Sequence, residues 1–170
     1  MIYQIVKDTP IELPALLAMW LSLTESEILG LTKSKSISSD GCYITIKEVI
    51  VKDEHNNAVV KNKGKQPTRD RTLRLPEYLK QLIDKVETDQ LVTLSGTALS
   101  KRFNRLITKA GIPHMTFHDL RHVNASVMAV LRIPDKYAQE RGGWKTDHIM
   151  KSTYMQTFSS ERAAIDNQIL

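Results

Sequence analysis

From Gly41 to Leu75 short strand-like apolar runs are separated by turn and charged residues, and on both sides of that stretch apolar residues recur at helical spacing. A chain with that order is expected to set a small sheet between helical segments. Tyr43-Ile44-Thr45-Ile46 with Val49-Ile50-Val51, then Ala58-Val59-Val60 after the turn residues Asn56-Asn57, then Arg71-Thr72-Leu73-Arg74-Leu75 predict three short antiparallel strands. Upstream, Thr9-Pro10 opens a helix over about 10–23 whose apolar positions are Leu13, Leu16, Leu17, Trp20 and Leu21. Thr24-Glu25-Ser26-Glu27 has the form of a capping box and starts a second helix to about Leu31. Downstream, Pro76 opens a helix through about Lys85, and Ser95 caps one to about Ala110. Thr116 caps a helix through Leu131, with Phe117, Leu120, Val123, Val127 and Val130 inward, and Pro134 starts a short one ending at Gly142-Gly143. Two further turns surround Tyr154 and residues 159–168. The expected fold class is α+β, mainly helical, with a small three-stranded antiparallel sheet in a single domain over residues 1–170.

Charge is concentrated rather than spread. The net formal charge is +5, and the stretch from Lys61 to Arg74 alone holds six basic residues against Asp70. A basic patch on an otherwise neutral body is the footprint of a polyanionic partner, because neutralised phosphates release counterions; a solvated loop is the plainer account of the same charges. The face of Lys101, Arg102, Arg105 and Lys109 extends the same pattern along one helix. No apolar run approaches the roughly 18 residues of a membrane helix, the N-terminus lacks a signal-like apolar region, and Cys42 has no cysteine to pair with. These features point to a cytoplasmic protein.

The residues with chemical potential lie mostly in the second half: His118-Asp119-Leu120-Arg121-His122, Gly142-Gly143-Trp144 and Tyr154, with the lysine-rich hairpin upstream. On a helix His118 and Arg121 share a face. Together these groups match what phosphoryl transfer through a tyrosine requires. A phenol attacks the phosphodiester, cations surround the non-bridging oxygens, and the leaving 5′-oxygen receives a proton. An arginine fork grips two phosphate oxygens at once.

On these residues the sequence resembles the tyrosine recombinase family, the phage integrase type, over essentially the whole chain as its catalytic domain. Leu23-Thr24-Glu25-Ser26-Glu27-Ile28-Leu29-Gly30-Leu31 is similar to the family's first box, Leu-Arg-x-Ser-Glu-x-x-x-Leu. Gly64-Lys65-Gln66-Pro67-Thr68-Arg69-Asp70-Arg71-Thr72 is similar to its hairpin-lysine segment. His118 to His122 matches the second box without a gap, and Gly143-Trp144 followed by Tyr154 resembles the segment that carries the nucleophile. The resemblance implies DNA integration and recombination, in which Tyr154 forms a 3′-phosphotyrosyl link without metal, nucleotide or other cofactor. It implies that Arg121 and His118 hold the scissile phosphate, that Trp144 donates its indole N–H and helps place Tyr154, and that Lys65 protonates the leaving oxygen. Lys61 and Lys63 are alternatives for that lysine. DNA contacts then fall to Lys61, Lys63, Arg69, Arg71, Lys101, Arg102 and Arg105. The implied partners are double-stranded DNA and further copies of the chain, four on DNA in the full-length protein, which carries N-terminal DNA-binding domains not present here. The last apolar stripe, Ala163 to Leu170, is the expected assembly segment.

Two departures shape the expectation. Thr24 stands where the family has its first catalytic arginine, and no residue from Leu21 to Leu31 is basic, so impaired cleavage is expected. Trp144 and Tyr154 are also one residue further apart than is usual in the family. Other readings accompany these. Thr24 serves as an N-cap, Trp144 is a core aromatic, His122 is satisfied by a backbone carbonyl, and Tyr137 is a competing tyrosine packed on its short helix. A catalytically inactive DNA-binding or regulatory module on the same fold is the principal alternative. A zinc hydrolase using His118 and His122, with His148 as third ligand, is a more distant one.

Overall fold

Hydroxyl and proline residues start several helices, and left-handed residues stop two of them. The computed structural model describes residues 1–55, 57–62, 71–144 and 146. Four short helices come first: α1 (Ile2–Val6), α2 (Glu12–Leu21), α3 (Glu25–Leu29) and α4 (Lys33–Ser36). Four strands follow, β1 (Tyr43–Ile46), β2 (Glu48–Lys52), β3 (Ala58–Asn62) and β4 (Arg71–Arg74). The remaining described elements are α5 (Glu77–Asp84), α6 (Gly96–Lys109), α7 (Asp119–Val130) and α8 (Asp135–Gly142). Thr24 caps α3 in a complete capping box, and Ser95 caps α6 by accepting the Ala98 N–H. Pro76 and Pro134 occupy the N-cap positions of α5 and α8. Ser22 at φ 57° ends α2 and Gly143 at φ 67° ends α8.

The mainly helical α+β class with small antiparallel sheets is the observed one; among the described residues the expected three-stranded sheet is seen as two two-stranded ladders, β1 with β4 and β2 with β3. The stretch read as one strand group at 43–51 breaks at Lys47. Ile46 pairs with Arg71 and Glu48 pairs with Asn62. Residues 63–70 lie outside the described residues. Period-two alternation puts Ile44, Ile46 and Leu73 in the core while Thr72 and Arg74 are exposed.

The helical boundaries differ from the expectation in two places. The first long helix begins at Glu12 rather than at Pro10. The helix after Thr116 begins at Asp119, because the Asp119 carboxylate takes both the backbone N–H and the hydroxyl of Thr116 at 2.6 and 2.8 Å. That clasp forms a turn before the helix and shifts its inward face. Leu120, Arg121, Ala125 and Met128 are the buried residues of α7, whereas Val127 and Val130 are exposed. Leu16, Leu17 and Leu21 of α2 form the centre of the main core with Ile28, Leu79, Leu99, Phe103 and Phe117. A second cluster joins Ala125, Met128, Ala138 and Trp144. Among the described residues no helix is long and apolar enough to cross a membrane.

Phe103 is fully buried and meets Phe117 edge to face at 5.7 Å between ring centroids. Phe103→Ala is expected to lower the unfolding free energy by about 3–5 kcal/mol. Val130→Ala, on the exposed face of α7, is expected to change it by about 0.5 kcal/mol or less. Urea denaturation followed by circular dichroism checks both.

Candidate functional site

The candidate site is built around the end of α2. Ser22 adopts the left-handed conformation, and the N–H groups of Ser22 and Leu23 both turn back to the Leu17 carbonyl. That closure leaves the Ser22 carbonyl free of its own helix. Arg121 donates to it from Nη1, and Arg71 donates to it from Nη2 at 3.4 Å. The Ser22 hydroxyl donates to Asn124 Oδ1 at 2.6 Å, which fixes α7 one turn beyond Arg121. Two guanidiniums from distant parts of the chain thus share one acceptor.

Glu27 supplies the negative charge beside them. Its carboxylate takes a two-pronged bond from Arg71, Nη1 to Oε1 at 2.9 Å and Nη2 to Oε2 at 3.0 Å. The same Oε2 accepts the Thr24 N–H at 2.8 Å, as the third residue of the capping box should. Both partners are buried, with side chains 9% and 4% exposed for Arg71 and Glu27. Arg71, expected among the DNA contacts, is turned inward by β4, in phase with Leu73 and Leu75. Its Nε is buried without a hydrogen-bond partner among the described residues.

Trp144 completes this group. Its ring lies 4.5 Å from the Arg121 guanidinium carbon, a cation–π contact. Trp144 is at once a core aromatic of the second cluster and a neighbour of Arg121. Two glycines make the approach possible. A Cβ on Gly142 would lie 1.9 Å from the Trp144 ring, and one on Gly143 would lie 2.3 Å from Arg71 Nη1. Burial pulls the Arg121 pKa down to about 10, with Glu27 opposing the shift and Arg71 adding to it. Arg121 therefore remains cationic at neutral pH.

His118 lies at the exposed N-terminal end of α7. Its ring meets His122 edge to face at 4.8 Å, so its described ring contact is to His122, while Arg121 turns inward. Among the described residues His122 Nδ1 is buried with no hydrogen-bond partner, and none of their backbone carbonyls takes the expected role. Burial first, then the charges of His118 and Arg121, lowers the His122 pKa against the opposing pull of Asp119. Asp119 feels burial as its largest influence, upward, yet the Thr116 hydrogen bonds and the two histidines hold its pKa below the ordinary value.

The basic residues divide into two sets. Lys101, Arg102, Arg105 and Lys109 are exposed on α6, opposite the buried Leu99, Phe103 and Ile107, and Lys61 is exposed on β3. Lys63, Lys65, Arg69, Tyr154 and the terminal stripe 163–170 lie outside the described residues, as does His148. Among the described residues no three His, Cys, Asp or Glu side chains gather as a metal site would require. Tyr137, the competing tyrosine, is exposed on α8 instead of packing on it.

Glu27 was the functional neighbour that sequence reasoning missed, since its capping-box role accounted for it fully. The available signal was Arg71, in phase with Leu73 and Leu75: a buried-face arginine needs a carboxylate.

Comparison with known proteins adds independent findings. The profile described as the phage integrase family matches residues 25–161. An integrase of Saccharopolyspora erythraea is 33% identical over 64 residues, which cover 38% of this chain and 14% of that protein. The Tn1549 transposon integrase, solved in complex with transposon right end DNA, superposes with a TM-score of 0.75 at 18% identity, over 99% of this chain and 63% of its own. The XerA recombinase superposes at 0.66 with 16% identity, over 95% of this chain and 60% of its own. A lambda integrase dimer bound to a core site superposes at 0.62 with 18% identity, over 90% of this chain and 45% of its own. The chain spans less than two thirds of the length of each of these relatives.

The buried pair of Glu27 and Arg71 yields a stability expectation. Glu27→Gln keeps the shape but leaves Arg71 without its counter-charge, and is expected to cost about 3 kcal/mol. Glu48→Gln, which breaks the exposed pair with Lys35 at 2.8 Å, is expected to cost less than about 1 kcal/mol. Thermal and urea unfolding of the two variants measure the contrast.

Proposed function

The chain belongs to the phage integrase family, and from that premise we propose that it is the catalytic domain of a site-specific DNA recombinase, cutting and rejoining strands through a 3′-phosphotyrosyl intermediate. The observation that carries this reading is the convergence of the second box on the Gly-Trp segment: Arg121 is buried, tied to Ser22 and held against Trp144. A guanidinium fixed in a water-poor site is worth more to a developing phosphorane charge than one in solvent, because it needs no reorganisation when the charge appears.

In this mechanism the Tyr154 oxygen bonds to phosphorus as the bond to the 5′-oxygen breaks. The net proton transfer runs from the phenol to the released 5′-hydroxyl, through Lys65 on the leaving side. Attack by a 5′-hydroxyl on the phosphotyrosyl link reverses the step and rejoins the strand, with no change in oxidation state. Arg121 and His118 bind the non-bridging oxygens, and the Trp144 indole N–H is a further donor. The exposed cations of α6 together with Lys61, Lys63 and Arg69 follow the backbone of double-stranded DNA. Exchange of four strands calls for four subunits on two DNA sites, with self-association through the C-terminal residues. The second reading, a DNA-binding or regulatory module without chemistry, is favoured by one observation: Thr24 is fully engaged as a helix cap where the family has an arginine.

A nicked suicide duplex that traps the covalent adduct distinguishes the two. The native chain is expected to form an adduct that Tyr154→Phe abolishes and Arg121→Ala reduces by about 100-fold or more. Salt-sensitive DNA binding without any adduct would leave the binding module as the function. For the binding itself, affinity is expected to fall about tenfold or more between about 50 and 200 mM salt. Replacing Lys101, Arg102 and Arg105 together is expected to flatten that dependence in a fluorescence anisotropy titration.

A further inference from the structure

We propose that Arg71 of β4 is a second phosphate-binding guanidinium of this site, taking the place of the arginine that the first box lacks at Thr24. This inference rests on the strand-cleavage reading for its consequence in catalysis, and on the geometry of the described residues for its placement.

The placement follows from three contacts. Arg71 and Arg121 donate to the same Ser22 carbonyl oxygen, so their guanidiniums are neighbours across one acceptor. Arg71 Nη1 lies against Gly143 and the Arg121 guanidinium lies against Trp144, so the two cations bracket adjacent residues of one segment. Glu27, which grips Arg71, also holds the Thr24 N–H. The guanidinium therefore sits within one carboxylate of the position at which the first-box arginine would enter the chain.

The charges and donors then point to an anion. Two arginines meet one carboxylate among the described residues of this site, and Arg121 makes its described hydrogen bond to a carbonyl rather than to an acid. A buried excess of positive charge is costly unless something negative answers it. Arg71 is nine-tenths buried with Nε unpartnered, while both of its Nη atoms are taken by Glu27 and Ser22. Arg121 has five N–H donors and, among the described residues, spends one of them on Ser22. The free donors of the two guanidiniums suit a tetrahedral oxyanion, which a single fork cannot surround.

A structural role for Arg71 as the partner of Glu27 predicts loss of stability alone, so the test reads something else. With the nicked duplex, Arg71→Lys keeps the charge beside Glu27 but removes the fork and Nε; it is expected to slow adduct formation about 100-fold at saturating DNA, with KM nearly unchanged. That deficit is expected to shrink below about tenfold when a neutral methylphosphonate replaces the scissile phosphate, because the oxygen that Arg71 holds is gone. Adduct formation by a folded Arg71→Lys chain at the native rate would overturn the proposal while leaving the strand-cleavage reading intact. So would a deficit unaffected by the neutral linkage.

An independent measurement covers the case in which the native chain forms no adduct and the strand-cleavage reading fails. The Nε–H resonance of Arg71 is assigned by its disappearance in Arg71→Lys and followed in nitrogen-edited NMR during titration with inorganic phosphate at constant ionic strength. A saturable shift, reduced in Arg121→Lys, supports a two-arginine phosphate site. A resonance that does not move overturns it whatever the chain does to DNA.

Discussion

The last carbonyls of a helix have no partner within it and carry the negative end of its dipole, and in α2 those carbonyls organise the rest of the site. Asn124 Nδ2 and Arg141 Nη2 both donate to the Trp20 oxygen, at 3.3 and 3.2 Å, and Arg121 and Arg71 both donate to the Ser22 oxygen. Side chains from α7, α8 and β4 thus meet at one helix end. Leaving a buried acceptor unanswered costs on the order of 1–3 kcal/mol, so docking these three elements and orienting two guanidiniums are the same event. A site assembled in this way has its guanidiniums oriented by the chain's own acceptors, which is what electrostatic stabilisation of a developing charge would require in the proposed reaction.

How much of this was legible in the sequence depends on whether a residue has one role or two. The helical and strand segments followed from local rules, since a capping box, a proline at a helix start and period-two alternation each act within a few residues. Thr24 and Ser95 cap the helices that their sequence context indicates. The phase of α7 was not legible, because the Asp119 clasp on Thr116 replaces the expected cap and hands the interior to Ala125 and Met128. The division of the sheet was also hidden, since strand propensity does not report where a ladder is interrupted. Arg71 was visible only as one cation among many, yet its alternation with Leu73 and Leu75 held the information that it faces inward.

The exchange of arginine for threonine at position 24 looks less like a simple loss once the local geometry is considered. A threonine at the N-cap satisfies the Glu27 N–H at 3.4 Å and leaves the Glu27 side chain to answer the Thr24 N–H in return. That reciprocal pair fixes the carboxylate, and the fixed carboxylate orients Arg71. Arginine is a poor N-cap, having no acceptor to offer, and would contribute its cation from a less anchored helix start. Helix capping at α3 and placement of a guanidinium by β4 are therefore linked through one side chain.

An acid inside the proposed phosphate site works against anion binding on charge alone, and the balance of charges gives it a different role. Two guanidiniums that share an acceptor in a buried setting repel one another by a few kcal/mol at an effective dielectric of about 20. Burial and Arg71 both press the Arg121 pKa downward, and Glu27 resists. Without the carboxylate, the site would relieve its repulsion by turning one arginine out to solvent, where it would have to be recaptured during the reaction. Glu27 keeps Arg71 in place by occupying its two Nη atoms, leaving Nε and most of the Arg121 donors without a partner among the described residues, and a positive excess there. The carboxylate weakens attraction for any anion in exchange for geometry, and geometry is the larger factor when the charge to be stabilised exists only in the transition state.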